Sequence, residues 1–315
     1  MILKEKRMKG KDLLSIGDLT LDEAWGIINR AIRIKKRKAM SSFLAGKTLA
    51  LIFEKPSLRT KVSFDVAMYQ LGGHSVYLSQ AEVGLGSREP IADAARTLSR
   101  YVDIIAARTF AHATVESLAK YATVPVINAL SDGEHPCQAL ADIMTIYEKK
   151  GKLEGLTVAY IGDGNNVSNS LMLACVLVGM NFRIASPKGY ELPDKIVRLG
   201  LRSSKKVGAE IALLKEPREA VKGADVVYTD VWTSMGQEDS YQARLRAFAG
   251  YQVDVELLAQ APSGAILMHD LPAHRGEEIA DEAIEGPQSV VFDQAENRLH
   301  AQRAILALLL GEETG

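Results

Sequence analysis

The chain has 315 residues, too many for one comfortable hydrophobic core and enough for two domains of roughly 150 residues each. Hydrophobic residues at 47% and charged residues at 24% are the proportions of an ordinary globular protein, which sets disorder aside. The net charge of −1 provides no global field for nucleic acid or a membrane surface, so any anion must be held by a few focused residues.

Along the chain, the apolar run 48–53 ends at the breaker Pro56, a helix-like stretch continues to Leu71, and Gly72-Gly73 leads into a strand-like run 74–78. That is a βαβ unit. The cycle recurs as strand 102–107, a loop at Arg108, helix 115–121 and strand 124–128, which predicts a parallel sheet. In 136–149, Leu140, Ile143, Met144 and Tyr147 recur at helical spacing, Gly151 stops the helix, and the domain connection is placed there. The second half repeats the rhythm: strand 157–162, loop 163–166, an apolar helix to Met180 and strand 182–186. Further strands are predicted at 209–213, 226–229, 265–269 and 289–292, with a last helix near 295–310. The predicted fold class is α/β, two domains each with a mostly parallel sheet flanked by helices. No repeat or low-complexity tract is present.

Cys137 and Cys175 are too few for a disulfide framework and lack the paired spacing of a zinc site, so a reducing cytoplasm fits and neither metal nor cofactor is expected. Residues 1–19 alternate basic and apolar side chains without the sustained apolar stretch of a secretory leader. The longest apolar runs, 173–180 and 305–310, fall far short of the ~20 residues of a membrane span.

The segment Phe53-Glu54-Lys55-Pro56-Ser57-Leu58-Arg59-Thr60 puts a serine at a helix N-cap directly after a strand. Free backbone N–H groups and the positive helix end then face one point, and Ser57, Thr60 and the Arg59 fork add donors, which makes an anion cradle. A helix merely capped by Ser57 is the alternative. Gly46-Lys47-Thr48 imitates the end of a P-loop, but Ser41 stands where that motif needs Gly, and Thr48 opens a strand rather than a helix. Gly162-x-Gly164 imitates a dinucleotide turn, but the third glycine position is Val167 and the next strand ends at Ser186-Pro187 without an acid for the ribose.

The turn at Ser57 and six other ordered blocks resemble the carbamoyltransferase family, whose signature at this strand-to-helix position is Ser-Thr-Arg-Thr. The others are Arg108-Thr109, His135-Pro136-Cys137-Gln138, Gly162-Asp163-Gly164-Asn165-Asn166, Asp230-Val231-Trp232-Thr233-Ser234-Met235-Gly236 and His269-Asp270-Leu271-Pro272, followed by Ala295-Glu296-Asn297-Arg298. The Ser-Met-Gly block and the His-x-Leu-Pro block are similar to the ornithine branch. The resemblance implies transfer of the carbamoyl group of carbamoyl phosphate to L-ornithine, giving L-citrulline and phosphate in arginine metabolism. Putrescine or N-acetylornithine is the alternative acceptor. It implies a carbamoyl-phosphate domain at 1–148, with a C-terminal helix of about 296–315 packing back on it, and an ornithine domain at 149–295. A cytoplasmic homotrimer, or a multiple of trimers, is implied as well.

By that resemblance Ser57, Leu58 through its backbone, Arg59, Thr60, Arg108, His135, Gln138 and Arg298 bind carbamoyl phosphate. Arg108 and His135 polarise its carbonyl, and Gln138 accepts from its NH2. Asn166, Asp230, Ser234, Met235, Asp270 and Leu271 bind ornithine, and Arg59, Arg108, His135 and Asp270 form the catalytic set. The loop 232–241 is expected to close over the amino acid.

Three positions depart from the family pattern. Leu58 replaces Thr, Gly84 stands where many relatives carry a Gln that reaches a neighbouring subunit, with Arg88 the nearest substitute, and Asp270 replaces the Cys of His-Cys-Leu-Pro. A carboxylate at Asp270 either holds the incoming amine as ammonium or accepts its proton; the second role is the one expected. His74, His112 and His300 are expected in core or surface roles, Cys137 as a packed thiol, Cys175 in a helix core, and His269 as a residue that orients the Asp270 turn.

Overall fold

The structure is a computed structural model and describes residues 8–37 and 42–311. Ser41, part of the 1–19 stretch and the last residues of the expected 296–315 helix lie outside the described residues. The chain divides into two compact units, residues 1–144 with 296–315, and residues 145–295.

The first unit runs α1 (Leu21–Arg37), β1 (Thr48–Phe53), α2 (Leu58–Gln70), β2 (His74–Ser79), α3 (Gln80–Val83), α4 (Ile91–Leu98), β3 (Ile104–Arg108), α5 (His112–Tyr121), β4 (Val126–Leu130) and the start of α6 (Pro136–Lys150). Its four strands are parallel in the order β2-β1-β3-β4. Strands β3 and β4 are buried throughout, as the covered faces of a parallel sheet demand, and this is why they read as unbroken apolar runs. The Gly46-Lys47-Thr48 stretch enters β1 and its lysine pairs with Asp103 at 2.8 Å, so it opens a strand and not the helix that a P-loop requires.

The second unit runs β5 (Thr157–Ile161), α7 (Asn166–Leu177), β6 (Asn181–Ala185), α8 (Asp194–Val207), β7 (Ile211–Leu214), α9 (Pro217–Val221), β8 (Val226–Thr229), α10 (Tyr241–Ala247), α11 (Val255–Leu258), β9 (Ile266–His269) and α12 (Asp281–Ile284). Its five parallel strands lie in the order β7-β6-β5-β8-β9. Gly164 permits a close crossing here: a Cβ on it would stand 2.3 Å from the backbone of Glu191. The final helix α13 (Val291–Leu310) starts in this unit, and from Glu296 it belongs to the first.

One predicted strand is corrected. Residues 289–292 are not a strand: Ser289 makes a single parallel bridge to Leu267, and Val291 already begins α13. The run Ser289-Val290-Val291-Phe292 is β-favouring by composition, but a long helix-favouring sequence follows it and extends its N-terminus backwards. Among the described residues no helix is long and apolar enough to cross a membrane.

In each sheet the strand order reverses at one place. Strand β1 is flanked by β2 and β3, and β5 by β6 and β8, so the loops leaving their carboxyl ends diverge and open a crevice there. Phe53 is in register with Arg108, and Ile161 with Thr229, which fixes the loops that line each crevice.

Candidate functional site

In the first unit, β1 ends at Phe53 and the chain turns through Pro56 into α2. Ser57 is the N-cap, with φ −162° and ψ 119°, and its Oγ accepts the Thr60 N–H at 3.2 Å. The free N–H groups of the first turn, including that of Leu58, therefore point out of the carboxyl end of the sheet. The Leu58 side chain itself is 74% exposed, consistent with a backbone contribution only. The neighbouring loop is tied to this one by the Glu54 N–H donating to the Arg108 carbonyl and by the Phe110 N–H donating to the Glu54 carboxylate.

Thr60 is the hub of the turn. Fully buried, its Oγ1 receives Ser57 Oγ at 3.1 Å, Arg108 Nη1 at 3.3 Å and Arg298 Nη2. Arg298, on α13, also donates from Nη1 to Gln138 Oε1 at 3.1 Å, and Gln138 Nε2 donates to Asp142 at 2.8 Å. Ser57, Thr60, Arg108, Gln138 and Arg298 are thus joined in one network, with Arg108 and Arg298 almost fully buried. The Gln138 oxygen expected to accept from a carbamoyl NH2 already accepts from Arg298, and it keeps a second lone pair for that contact.

His135 sits immediately before α6, 1% exposed. Its pKa is pushed well below the usual histidine range by burial first, and then by Arg298, Arg108, Lys55 and Arg59 around it. The imidazole is therefore neutral at physiological pH, one ring nitrogen carrying a proton that it can donate. Four cations around one imidazole make the local field strongly positive, which suits an anion of more than one charge.

Lys55 was not singled out from sequence, although it stands in the same turn. Its ammonium lies over the Phe110 ring at 5.1 Å, and burial together with Arg108 brings its pKa down to about 8. The sequence held a signal for it, a cation two residues before the N-cap serine.

In the second unit, the site residues again follow strand ends. Asn165 is the N-cap of α7, its Oδ1 accepting from the N–H groups of Val167 and Ser168 at 3.0 Å. Its Nδ2 donates to Asp230 Oδ2 at 2.8 Å, so Asn165 joins the loop after β5 to the loop after β8. Asn166 begins α7 beside it.

Asp230 is 5% exposed and its other oxygen accepts the Val231 N–H at 2.7 Å. Burial, and then the adjacent Asp270 carboxyl with which it shares a hydrogen bond, raise its pKa well above the usual carboxylate range. Two carboxyls in this relation hold one proton between them.

The turn after β9 is held by His269. The Leu271 N–H donates to His269 Nδ1 at 2.9 Å, which leaves Nε2 protonated and donating to Glu278 at 3.0 Å. Leu271 adopts φ 59°, uncommon for a branched side chain, and precedes a cis peptide bond to Pro272. The expectation that His269 orients the Asp270 turn agrees with this geometry.

In the loop 232–241, the Ser234 N–H donates to the Gln237 side chain at 3.1 Å, and Met235 is 45% exposed. Trp232 stacks on Phe248, and Arg244 ties the loop down by donating from Nη1 to both the Trp232 carbonyl and Asp163, each at 2.7 Å. Sequence reading gave no role to Arg244 or Asn165, whose ties to Asp163 and Asp230 span 81 and 65 positions.

The bland readings hold for three other groups. His112 bonds Ser131, His300 pairs with Glu296 on its own helix at 3.2 Å, and Cys137 is fully buried with its thiol pushed up to about 12. Gly84 is left-handed at φ 58°, and the guanidinium of Arg88 donates to the Glu82 carbonyl. Among the described residues, two groups bring three potential metal ligands together: Asp230, His269 and Asp270, and His274, Glu277 and Glu278.

Comparisons with known proteins match the two parts of the chain separately. Residues 11–148 match the family model described as the carbamoyl-P binding domain of aspartate/ornithine carbamoyltransferase, and residues 154–309 match its Asp/Orn binding domain. A protein named ornithine carbamoyltransferase from Pyrococcus horikoshii is 53% identical over 307 residues, spanning 96% of this chain and 97% of that protein. One from Pyrococcus furiosus named as anabolic is 52% identical, spanning 96% and 98%. The solved structure of the Pyrococcus furiosus ornithine carbamoyltransferase superposes with a TM-score of 0.95 at 52% identity, covering 98% of this chain and all of that one.

Proposed function

The chain belongs to the aspartate/ornithine carbamoyltransferase family, and on that premise we propose that it transfers the carbamoyl group of carbamoyl phosphate to the δ-amine of L-ornithine, forming L-citrulline and phosphate for arginine biosynthesis. The observation that supports this most is the cation-ringed network at the switch point of the first sheet, with a neutral imidazole in its midst.

In this reading Ser57, Arg59, Thr60 and the first N–H groups of α2 hold the phosphate as a dianion, because its charge matches both the helix end and the guanidinium forks. Arg108 and neutral His135 donate to the carbonyl oxygen, and Gln138, fixed by Arg298, accepts from the NH2 group. A carbonyl attacked by an amine gathers negative charge on oxygen, and donors already in place stabilise that charge without reorganising. His135 serves better neutral than charged here, since an imidazolium would add to an already crowded field of cations.

Ornithine is held by Asp230 through its α-ammonium group and by Asn166, Ser234 and the Met235 backbone through its carboxylate, with Leu271 lining the turn. Arrival of that ammonium beside the Asp230–Asp270 pair expels the shared proton, so Asp270 becomes an ionised acceptor for the proton of the attacking amine. The C–O bond to phosphate then breaks, phosphate leaves, and no covalent enzyme intermediate is involved. No metal or cofactor enters these steps.

We read the active form as a cytoplasmic homotrimer or a multiple of it. Support for self-association comes from the apolar face that α2 presents, with Leu58 at 74%, Val62 at 50% and Tyr69 at 65% exposure, and from Val76 on β2. Mass determination in solution tests it, and a monomer at assay concentration would refute it.

The decisive experiment is citrulline formation by the purified protein with ornithine, compared with putrescine, N-acetylornithine and aspartate as acceptors. Ornithine is expected to dominate, and Arg59→Ala to abolish measurable turnover at ordinary carbamoyl phosphate concentrations. Absence of a ureido product, or an unimpaired Arg59→Ala enzyme, would overturn the reading.

A further inference from the structure

Arg108 ends β3 and His135 follows β4, and the loops after these two strands are stitched to each other. The Thr109 N–H donates to the Leu130 carbonyl and the Asp132 N–H to the Phe110 carbonyl, each at 2.9 Å. His112, the first residue of α5, adds two more ties although the transfer chemistry gives it no part. Its N–H donates to Asp132 Oδ1 at 2.7 Å, and its Nδ1 lies 2.7 Å from Ser131 Oγ.

The direction of that last bond follows from the surroundings of the serine. Ser131 is fully buried, and its Oγ accepts from Asn128 Nδ2 at 3.2 Å. Its single hydrogen goes to His112 Nδ1 at 2.7 Å rather than to the Glu134 carbonyl at 3.4 Å, because the shorter contact is the stronger one. Nδ1 is then the accepting nitrogen, and Nε2 carries the proton on the side of the Glu116 carboxylate, 3.9 Å away. The same ring backs the turn. A Cβ on Gly133 would stand 3.0 Å from His112 Cγ, so the missing side chain is what lets the imidazole approach. Residues 131–134 close into a turn through the Ser131 N–H, which donates to the Glu134 carbonyl at 3.0 Å, and the next residue is the buried His135.

We propose that His112 is a positioning residue for the carbonyl-polarising pair: by bonding Ser131 and backing Gly133 it fixes the turn that delivers the His135 imidazole beside Arg108. The assignment rests on the transferase reading of the site. Glu134 anchors the end of the turn, its carboxylate accepting the Ile16 N–H at 3.0 Å, and His112 holds the beginning. Donors to a developing oxyanion work only when they are already in place, and a displacement of about 1 Å can cost about 10²-fold in rate. In the same reading the phosphate is held by Ser57, Arg59, Thr60 and the first turn of α2. A loosened His135 is therefore felt in the transition state and not in the capture of the donor.

The test compares the full-length parent with His112→Ala, His112→Phe and His112→Asn in citrulline formation, with competitive inhibition by inorganic phosphate and thermal unfolding alongside. In His112→Ala and His112→Phe, kcat is expected to fall by roughly 10- to 100-fold. The inhibition constant of phosphate and the KM of ornithine should stay within about twofold. His112→Asn, whose amide oxygen can stand where Nδ1 does, should recover most of the rate. In a His135→Ala background, His112→Ala should cost less than about threefold, because no imidazole is left to position. An unchanged kcat in His112→Ala, equal losses in both backgrounds, a His112→Asn enzyme no faster than His112→Phe, or a loss of phosphate inhibition that matches the loss of kcat would each overturn the assignment. Should His112→Ala fold poorly, Ser131→Ala removes the same bond from the other side and is expected to show the same split. A parent that makes no citrulline refutes the transferase reading itself, whereas a parent that turns over at a rate indifferent to His112 refutes only its positioning role.

Discussion

Replacing Asp270 by Asn tests the buried carboxyl pair directly. Two unit charges about 4 Å apart at an effective dielectric near 20 repel by about 4 kcal/mol, and the raised pKa of Asp230 is the ligand-free protein's response to burial and to this repulsion. A carboxyl whose folded pKa is raised contributes stability that is fully present below its unfolded value, here 3.8, and is lost as pH rises through the folded value. The parent protein must therefore lose stability from this group on going from acid to neutral pH. Asp270→Asn removes the second cause of the shift while burial, the first cause, remains, and its amide can donate to the Asp230 carboxylate. At pH 8 the ligand-free variant should be the more stable by part of that repulsion, on the order of 1–2 kcal/mol, or a few degrees in Tm for a chain of this size. The gain should fade towards pH 4. Thermal unfolding from pH 4 to 8 without ligands reads it, and a variant no more stable than the parent at pH 8, or a difference that ignores pH, would refute the shared proton. In the same variant kcat should fall by about 10²–10⁴, as general bases usually contribute, and an unchanged rate and pH profile would remove Asp270 from the proton transfer.

Arg298→Met removes charge-assisted bonds to Thr60 and Gln138, each worth about 1.5–3 kcal/mol, so kcat/KM for carbamoyl phosphate should drop by roughly 10- to 150-fold; a change confined to the KM of ornithine would contradict its place in the network. Gly164→Ala drives a methyl group to 2.3 Å from the Glu191 backbone and should destabilise the second unit by at least about 1–3 kcal/mol, seen as a lower denaturant midpoint; an unchanged midpoint would show that the crossing can yield. Cys137, with its thiol at about 12, should resist iodoacetamide at pH 8 in the native protein and alkylate on unfolding, as peptide mass spectrometry would report; rapid native labelling would refute its packed state.

Much of the fold was legible because parallel strands covered on both faces are uniformly apolar. The run Thr48–Phe53 and the run Val226–Thr229 were read to the residue. Helix α1 went unread although Ala24, Ile27, Ile28 and Ala31 mark its buried face at the i, i+3, i+4, i+7 spacing of a helix, a narrow stripe among many charged residues. The stretch 289–292 misled for the opposite reason: β-branched residues announced a strand, and the helix behind them claimed the backbone. The capped turn at Ser57 could be read because a strand end, a cap and a cation fork are contiguous in sequence.

What is local, the chain determined by itself: the apolar runs, the N-cap serine at position 57, the cations that follow it and the ordered blocks that mark the family. What is assembled from afar, only the tertiary structure decided. Arg298 meets Gln138 across 160 positions, and Asp230 lies against Asp270 because β8 and β9 lie side by side. Strand order within a sheet and the field at a buried group depend on which segments become neighbours, and hydrophobic periodicity carries no information about that. The residue types announce which charges are present; their protonation is settled by burial and by the charges that folding sets beside them.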